Sequence, residues 1–115
     1  MLRFYAYKGC DGCRKARKWL TAREIPFEEI PVREQPPSIK ELQQASSQLG
    51  LKALFNTSGM DYRQLGMKDK LPVMSEAEAL QCLHERGNLV KRPFLIDENI
   101  ALSGFKDDIW AEKLT

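Results

Sequence analysis

The sequence contains no hydrophobic run that approaches the roughly 20 residues needed to span a bilayer, so no membrane-spanning segment is predicted. The first seven residues lack the long apolar stretch and the small-residue cleavage site of a secretory signal. The formal net charge of +2 is too small to indicate a nucleic-acid partner by itself. We therefore expect a cytoplasmic protein with no membrane contact and no direct nucleic-acid binding.

Cysteine and histidine are both scarce. Three cysteines are an odd number, which excludes a complete structural disulfide framework. In a short intracellular chain, an isolated Cys-x-x-Cys points to metal binding or redox use. The single histidine, His84, has no Asp or Asn placed near it by any motif, so we interpret it as a surface residue rather than a catalytic base.

The chain has the composition of an ordinary globular protein, 43% hydrophobic and 30% charged over 115 residues. This length provides one hydrophobic core, so we expect a single domain over residues 1–115. Hydrophobic patterning and turn residues predict strands at 2–7, 27–32, 94–96 and 100–102 and helices at 13–23 and 106–114. Capping boxes, Ser followed three residues later by Glu, predict helices at 38–50 and 75–86, with short helical pieces at 51–55 and 61–65.

This order of elements predicts an α/β fold. A β-α-β unit requires a parallel strand pair with a right-handed crossover, and the terminal β-β pair is antiparallel. The result is a small mixed four-stranded sheet with helices packed on it, a thioredoxin-like fold with a helical insert at about residues 38–86. The loop after the first strand then lies at the carboxyl end of that strand, where open α/β sheets place their chemistry.

Cys10-Asp11-Gly12-Cys13 occupies that loop. Two thiols three residues apart at a strand-to-helix turn can form a disulfide with little backbone movement. Cys10 lies at the start of the helix, where free N–H groups and the helix dipole favour a thiolate, and the basic residues that begin with Arg14 add to this. Gly12 leaves room for an anion or a second sulfur to approach the backbone amides, whereas Asp11 opposes a thiolate. We interpret Cys10 as the nucleophile and Cys13 as the resolving thiol.

Two other interpretations of these cysteines stay open. Cys10, Cys13, Cys82 and His84 formally provide four zinc ligands, although Cys82 and His84 are two residues apart on a predicted helix and do not face one ion easily. We therefore predict no metal. The second interpretation is a pair of unreactive thiols at a packed helix end. Cys82 lies among leucines and is predicted to be a small buried hydrophobic residue.

Several motifs together resemble one known family. They are Tyr7-Lys8-Gly9-Cys10-Asp11-Gly12-Cys13, Ile25-Pro26-Phe27, Leu54-Phe55-Asn56-Thr57-Ser58-Gly59, Tyr62-Arg63-Gln64-Leu65-Gly66, Leu89-Val90-Lys91-Arg92-Pro93 and Gly104-Phe105. With them the sequence resembles the arsenate reductase (ArsC) family, in particular its Spx/MgsR-like branch. The resemblance covers essentially the whole chain, and it implies a thioredoxin-like fold with a helical insert.

For the arsenate-reducing members of that family, the resemblance implies that Cys10 attacks a small oxyanion. No bound cofactor is implied; glutathione with glutaredoxin, or thioredoxin, is the expected electron donor. Those members hold the oxyanion with three arginines, and only Arg92 matches one of them here, since the other two positions fall near Asn56 and Gly104. We expect arsenate to be held weakly, because arginine supplies charge-assisted, two-pronged hydrogen bonds to such anions.

Cys13 points toward the other branch of the family. Its presence implies a Cys10–Cys13 redox-active disulfide, as in Spx-type regulators that sense oxidation. Those regulators bind the C-terminal domain of the RNA polymerase α subunit, and a glycine of their binding surface matches Gly50. Gly50 is also an ordinary helix-ending glycine.

The resemblance also assigns Arg92-Pro93. Thioredoxin-like folds place a cis-proline opposite the reactive cysteine, which implies that Pro93 is cis and that Arg92 stabilises the Cys10 thiolate or a bound anion. A solvated surface arginine is the alternative. The expected function is that of a thiol-dependent oxidoreductase acting on an oxyanion or a protein disulfide, with a redox-switched regulator as the alternative.

Overall fold

A computed structural model describes all 115 residues. In chain order, the elements are β1 (Leu2–Ala6), α1 (Asp11–Ala22), β2 (Phe27–Pro31), α2 (Ile39–Leu49), α3 (Met60–Gln64), α4 (Met67–Lys70), α5 (Glu76–Glu85), β3 (Phe94–Ile96), β4 (Ala101–Ser103) and α6 (Asp107–Leu114). Turns of 3-10 helix lie at Lys52–Leu54, Leu71–Val73 and Gly87–Leu89. None of the helices combines the length and the hydrophobicity that a membrane-spanning helix requires.

The four strands form one mixed sheet in the order β2-β1-β3-β4. β1 and β2 pair in parallel, with Leu2 opposite Phe27, and the pairs β1–β3 and β3–β4 are antiparallel. This confirms the predicted α/β fold with a mixed four-stranded sheet. Because β1 is central, the loop that follows it lies in the middle of one end of the sheet.

The two faces of the sheet bury separate hydrophobic cores. Alternate residues of a strand point to opposite faces, so Phe4 lies in one core and Tyr5 in the other. The core on the Phe4 side is covered by α1 and α6, with Trp19 and Trp110 packed edge to face at 6.0 Å between ring centroids. The helices between β2 and β3 cover the Tyr5 side. The α1 loop is therefore fixed against a packed face of the sheet.

The capping boxes formed as predicted. Ser38 and Ser75 each accept a hydrogen bond from the backbone N–H of the glutamate three residues later, and each glutamate bonds back to the serine. Gly50 ends α2 with a positive φ of 87°, which glycine adopts without strain.

The prediction for the insert was incomplete in three places. Helix α4 was not predicted; it has only four residues, too few for a periodic signal, and follows Gly66 in the left-handed region (φ 65°). Phe55 forms an isolated antiparallel bridge with Val90, so the insert is not wholly helical. Cys82 is half-buried rather than buried, because it lies at the edge of the core.

Helix α6 turns only one of two neighbouring large hydrophobic residues toward the core. Trp110 is buried, whereas Ile109 beside it is 38% exposed. Neighbouring residues on a helix point about 100° apart, so both cannot face the core.

Candidate active site

The loop between β1 and α1 places Cys10 at the start of the helix. Cys10 has an extended backbone (φ −97°, ψ 120°) and is the N-cap residue of α1. Its Sγ accepts a hydrogen bond from the backbone N–H of Cys13, with 3.3 Å between nitrogen and sulfur. N-cap residues are usually Ser, Thr, Asp or Asn, which accept the same amide through oxygen. The sulfur of Cys10 therefore takes the place of a capping oxygen at the start of α1.

Cys13 occupies a different environment from Cys10. Its side chain is fully buried in the core beneath α1, whereas Cys10 is half-exposed. Burial raises the pKa of the Cys13 thiol to about 12, and the hydrogen bond with Cys10 acts in the same direction, while a backbone hydrogen bond at Tyr7 and the charge of Arg92 oppose it. At neutral pH Cys13 therefore keeps its proton, and Cys10 is the more accessible of the two sulfurs.

Gly12 and the segment before β3 define the approach to Cys10. The Arg92–Pro93 peptide bond is cis. A Cβ atom on Gly12 would lie 3.7 Å from Pro93 Cδ, 3.8 Å from Cys10 Sγ and 4.0 Å from the Arg92 carbonyl oxygen. These four residues thus meet around one small space, which the absence of a side chain on Gly12 leaves open.

Two arginine side chains lie over the ring of Tyr7. The Cζ atom of Arg33 lies 3.7 Å from the ring centroid, and that of Arg92 lies 5.1 Å from it. Both distances fall within the range of cation–π attraction. The Arg92 guanidinium therefore lies over the Tyr7 ring and makes no hydrogen bond to Cys10. The carbonyl of Tyr7 also accepts a hydrogen bond from the backbone N–H of Cys10 at 3.2 Å.

Sequence reasoning missed Tyr7 and Arg33 as parts of the site. The parallel pairing of β1 with β2 could have indicated both residues. Ala6 lies opposite Pro31, and the N–H of Val32 donates to the Ala6 carbonyl, so the residues that follow β1 and β2 must be neighbours.

The basic residues of α1 engage other partners. Arg14 pairs with Asp11 at 2.7 Å in an exposed ion pair, and Arg17 binds both carboxylate oxygens of Glu29 at 2.6 and 2.7 Å. Arg23 stacks on Trp19 with its Cζ 4.0 Å from the ring. The field of these charges at Cys10 is accordingly smaller than their number suggests.

Asn56 and Gly104 lie on different sides of Arg92. Asn56 lines a cavity of about 380 Å³ together with Arg33, Arg63 and Arg92. Two arginines from other points in the chain thus share a cavity with Arg92. Gly104 lines a second cleft and donates its N–H to the Pro93 carbonyl at 2.8 Å.

No group of three or more His, Cys, Asp or Glu side chains is placed to hold a metal ion. Cys82 and His84 lie on α5, in the other core layer from Cys10. His84 is exposed, and its Nδ1 lies 2.9 Å from the Pro37 carbonyl oxygen, a contact that anchors α5 to the chain before α2.

These parts can perform a defined type of chemistry. A half-exposed sulfur with an amide donor can attack an electrophilic sulfur or an oxyanion centre. A second thiol three residues on can then displace the product by forming an internal disulfide.

Comparison with known proteins agrees with this site. The chain is 48% identical over 113 residues to the uncharacterized protein YusI of Bacillus subtilis, with 96% of each chain covered. It is 34% identical over 111 residues to the global transcriptional regulator Spx of Enterococcus faecalis, covering 94% of this chain and 82% of that protein. Among solved structures, a possible arsenate reductase from Streptococcus mutans superposes with a TM-score of 0.87 at 38% identity, with 92% of each chain covered.

A family model agrees with these matches along nearly the whole chain. The model, described as the ArsC family, matches residues 5–113, a range that contains Cys10, Cys13 and Arg92. The sheet, the cis-proline and the Cys-x-x-Cys loop are thus found in a sequence whose relatives include both reductase-like proteins and Spx regulators. The chain belongs to the ArsC family, in its Spx-like branch.

Proposed function

We propose that this protein is a thiol oxidoreductase that reduces a disulfide through Cys10 and Cys13. The observation that carries the proposal is the asymmetry of the pair. Cys10 is half-exposed and accepts the Cys13 amide N–H at 3.3 Å, whereas Cys13 is fully buried and its thiol has a raised pKa. An exposed attacking sulfur and a sheltered resolving sulfur are the two roles that disulfide exchange requires.

The reaction proceeds in two balanced steps. The Cys10 thiolate attacks one sulfur of the substrate disulfide, a new S–S bond joins Cys10 to that sulfur, and the other substrate sulfur leaves as a thiolate that takes up a proton. Cys13 loses its proton and attacks Cys10 Sγ, which closes the Cys10–Cys13 disulfide and releases the second substrate thiol. Two electrons pass from the protein dithiol to the substrate. An external thiol, such as glutathione, glutaredoxin or thioredoxin, then reduces the protein disulfide.

A disulfide substrate suits this site better than arsenate. By the family resemblance, the two further arginines of arsenate reductases would fall near Asn56 and Gly104, which carry no charge. Arg33 and Arg63 share the Asn56 cavity with Arg92, but Arg33 and Arg92 are both held on the Tyr7 ring. In the proposed mechanism Arg92 stabilises negative charge on the departing or attacking sulfur from that position. Asp11 and Arg14 neutralise each other at the rim of the loop.

Trapping the mixed disulfide tests the proposal. Cys13→Ser protein, mixed with an excess of a small peptide disulfide, should accumulate a peptide adduct on Cys10, visible by mass spectrometry. Wild type should instead form the internal disulfide and release two peptide thiols. Cys82→Ser is the matched control and should behave as wild type, since Cys82 lies in the other core. An adduct on Cys82, or none on Cys10, would contradict the proposal. Arsenate with glutathione and glutaredoxin serves as a parallel substrate, for which we expect little turnover.

A second candidate function is that of a redox-switched regulator. It is favoured by the 34% identity to Spx over 94% of this chain and by the exposed surface at Gly50. Gly50 has no atom within 4 Å of its Cβ position, so a partner could approach the backbone there closely. In this function the Cys10–Cys13 disulfide would change the affinity for the C-terminal domain of the RNA polymerase α subunit.

A pull-down with that domain, under reducing and oxidising conditions, tests the regulator function. Binding that depends on the redox state and is lost in Gly50→Arg would support it. Absence of binding in both states would exclude it and leave the oxidoreductase.

A further inference from the structure

A cleft rich in lysine opens beside Arg92, on the side away from Asn56. It has a volume of about 580 Å³, and three lysines line it together with Arg92. Lys52 comes from the 3-10 turn after α2, Lys91 precedes Arg92, and Lys106 is the residue before α6. The remaining lining residues are Ala53, Phe55, Thr57, Ser103, Gly104 and Phe105. We refer to this feature as the lysine cleft.

No carboxylate of the protein forms an ion pair with the cations of the lysine cleft. None of its lining residues is Asp or Glu. The ion pairs of the protein involve Arg3, Arg14, Arg17 and Arg86, and none of the four cations of the cleft takes part in one. Grouped like charges repel one another and raise the local concentration of anions. An anionic ligand would relieve that repulsion.

The walls of the lysine cleft are fixed by hydrogen bonds. The N–H of Lys91 donates to the Leu54 carbonyl at 2.9 Å, and Ser103 Oγ donates to the Ala53 carbonyl at 2.6 Å. Gly104 has a φ of +72°, and a Cβ there would lie 2.9 Å from Lys91 Cε. The glycine thus leaves room for the Lys91 side chain to lie across it, and the three lysines come from segments that are tied together.

The lysine cleft adjoins the reactive sulfur through Pro93. Gly104 donates its N–H to the Pro93 carbonyl at 2.8 Å. Pro93 Cδ and Cys10 Sγ both lie within 4 Å of the space above Gly12. Arg92 connects the two places, since it is one of the residues that line the cleft and its carbonyl oxygen lies 4.0 Å from the Cβ position on Gly12. A chain that occupies the lysine cleft can therefore extend to Cys10.

We propose that the lysine cleft binds an acidic peptide segment, rich in Asp or Glu, next to the cysteine that exchanges with Cys10. This inference rests on the proposed oxidoreductase function and names its substrate class. The peptide's disulfide undergoes the same two-step exchange, with the electrons supplied by Cys10 and Cys13.

The size and chemistry of the lysine cleft select this ligand over two others. Its volume of about 580 Å³ is far more than one tetrahedral oxyanion fills. Lysine offers separate point charges that suit several spaced carboxylates, whereas arginine suits one planar anion. Single-stranded nucleic acid would need exposed aromatic rings for base stacking, but Phe55 is buried and Phe105 packs on Trp19 and Trp110.

Direct binding of a peptide without cysteine tests the inference separately from the redox chemistry. The probe is a fluorescent Glu-Glu-Ser-Glu-Glu peptide, compared with its Gln-Gln-Ser-Gln-Gln counterpart by anisotropy at low ionic strength. We expect at least tenfold tighter binding of the Glu peptide, with most of the difference lost at high salt. Lys52→Glu, Lys91→Glu and Lys106→Glu combined should abolish the preference, and the three Lys→Arg changes should keep it.

A matched variant controls for net charge. This control variant replaces three exposed lysines outside the lysine cleft, by the changes Lys40→Glu, Lys70→Glu and Lys113→Glu. It has the same net charge as the cleft variant, so any loss of affinity due to net charge alone should be equal in the two. It should nevertheless keep the preference for the Glu peptide over the Gln peptide. Equal loss in both triple variants would overturn the inference, because binding would then follow net charge alone. Tighter binding of inorganic phosphate or of a short oligonucleotide than of the Glu peptide would also overturn it.

Exchange rates with the corresponding disulfide-linked cysteine peptides complete the test. Faster exchange of the Glu-Glu-Cys-Glu-Glu dimer than of the Gln dimer by Cys82→Ser protein supports both proposals. If neither dimer reacts while the Ser peptide still binds, the oxidoreductase function fails and the acidic-peptide cleft stands. If both dimers react equally and the Ser peptides bind equally, the cleft inference fails and the oxidoreductase stands.

Discussion

The Cys10–Cys13 loop and the lysine cleft lie on two sides of Arg92, yet they are built from different kinds of contact. In the loop, the bond that positions the sulfur joins residues three apart in sequence. In the cleft, the bond from Ser103 Oγ to Ala53 joins residues 50 apart. The reactive geometry is thus local, whereas the surface proposed to select the substrate exists only after the whole chain has folded. Variants in the loop should alter chemistry, and variants in the surrounding surface should alter selectivity.

The largest effect is expected at the attacking sulfur. Cys10→Ser retains an N-cap side chain that can accept the Cys13 N–H, so α1 should begin at the same residue. The hydroxyl cannot form a disulfide, and the rate of disulfide reduction should fall by about three orders of magnitude or more. Stopped-flow or chromatographic assay of peptide thiol release measures this. Retained activity would show that the loop is not the reactive centre.

The next effect concerns Cys13 and pH. Its pKa is raised from 9.0 to about 12 in the folded protein, so the stability that it contributes is complete below pH 9 and is lost as the pH rises from about 9 toward 12. At pH 10.5 the reduced wild type should have lost up to about 2 kcal/mol of this contribution. Urea unfolding of wild type and Cys13→Ala, at pH 7.5 and 10.5 with reductant, isolates that loss from other groups such as Tyr5, whose pKa burial also raises. An equal pH dependence in both proteins would contradict the prediction.

A smaller effect is expected from closing the space above Gly12. In Gly12→Ala the new methyl would lie about as far from Cys10 Sγ as the 3.8 Å measured for an ideal Cβ, in the place that a substrate sulfur needs. We expect about a tenfold lower rate with peptide disulfides, which corresponds to about 1.4 kcal/mol of barrier. Alkylation by small iodoacetamide is the control and should change much less. Equal slowing of both reactions would indicate a disturbed helix start instead.

The smallest effect is expected at Tyr7, whose ring contacts two arginines that are distant from it in sequence. Tyr7→Leu removes the ring that holds Arg33 and Arg92, whereas Tyr7→Phe keeps it. An exposed cation–π contact contributes about 0.5–1 kcal/mol, so Tyr7→Leu should slow disulfide reduction about two- to fivefold. The Phe variant should match wild type. A loss in the Phe variant as large as in the Leu variant would assign the effect to the hydroxyl group.

The difference between local and long-range contacts also determines which parts of the fold and of the site could be predicted from the sequence. The strands, the capped helices α2 and α5 and the Cys10 loop follow from short-range patterns of two to four residues, and all were predicted. Helix α4 was missed because four residues carry no periodicity, and the half-burial of Cys82 depends on where α5 meets the core. Arg33 and the lysine cleft are set by strand register and by loops that meet in space, so no local pattern identifies them.

The capping role of Cys10 also has a thermodynamic consequence. In the proposed mechanism Cys10 attacks as a thiolate, and a thiolate is a far better hydrogen-bond acceptor than a disulfide sulfur. The bond from the Cys13 N–H at the start of α1 would therefore stabilise this reduced, attacking form more than the oxidised one. Stabilising the dithiol form shifts the couple toward a more oxidising potential. The first turn of α1 therefore contributes to the reduction potential of the Cys10–Cys13 couple. A variant that changes the stability of this turn should also change how readily the protein gives up its electrons.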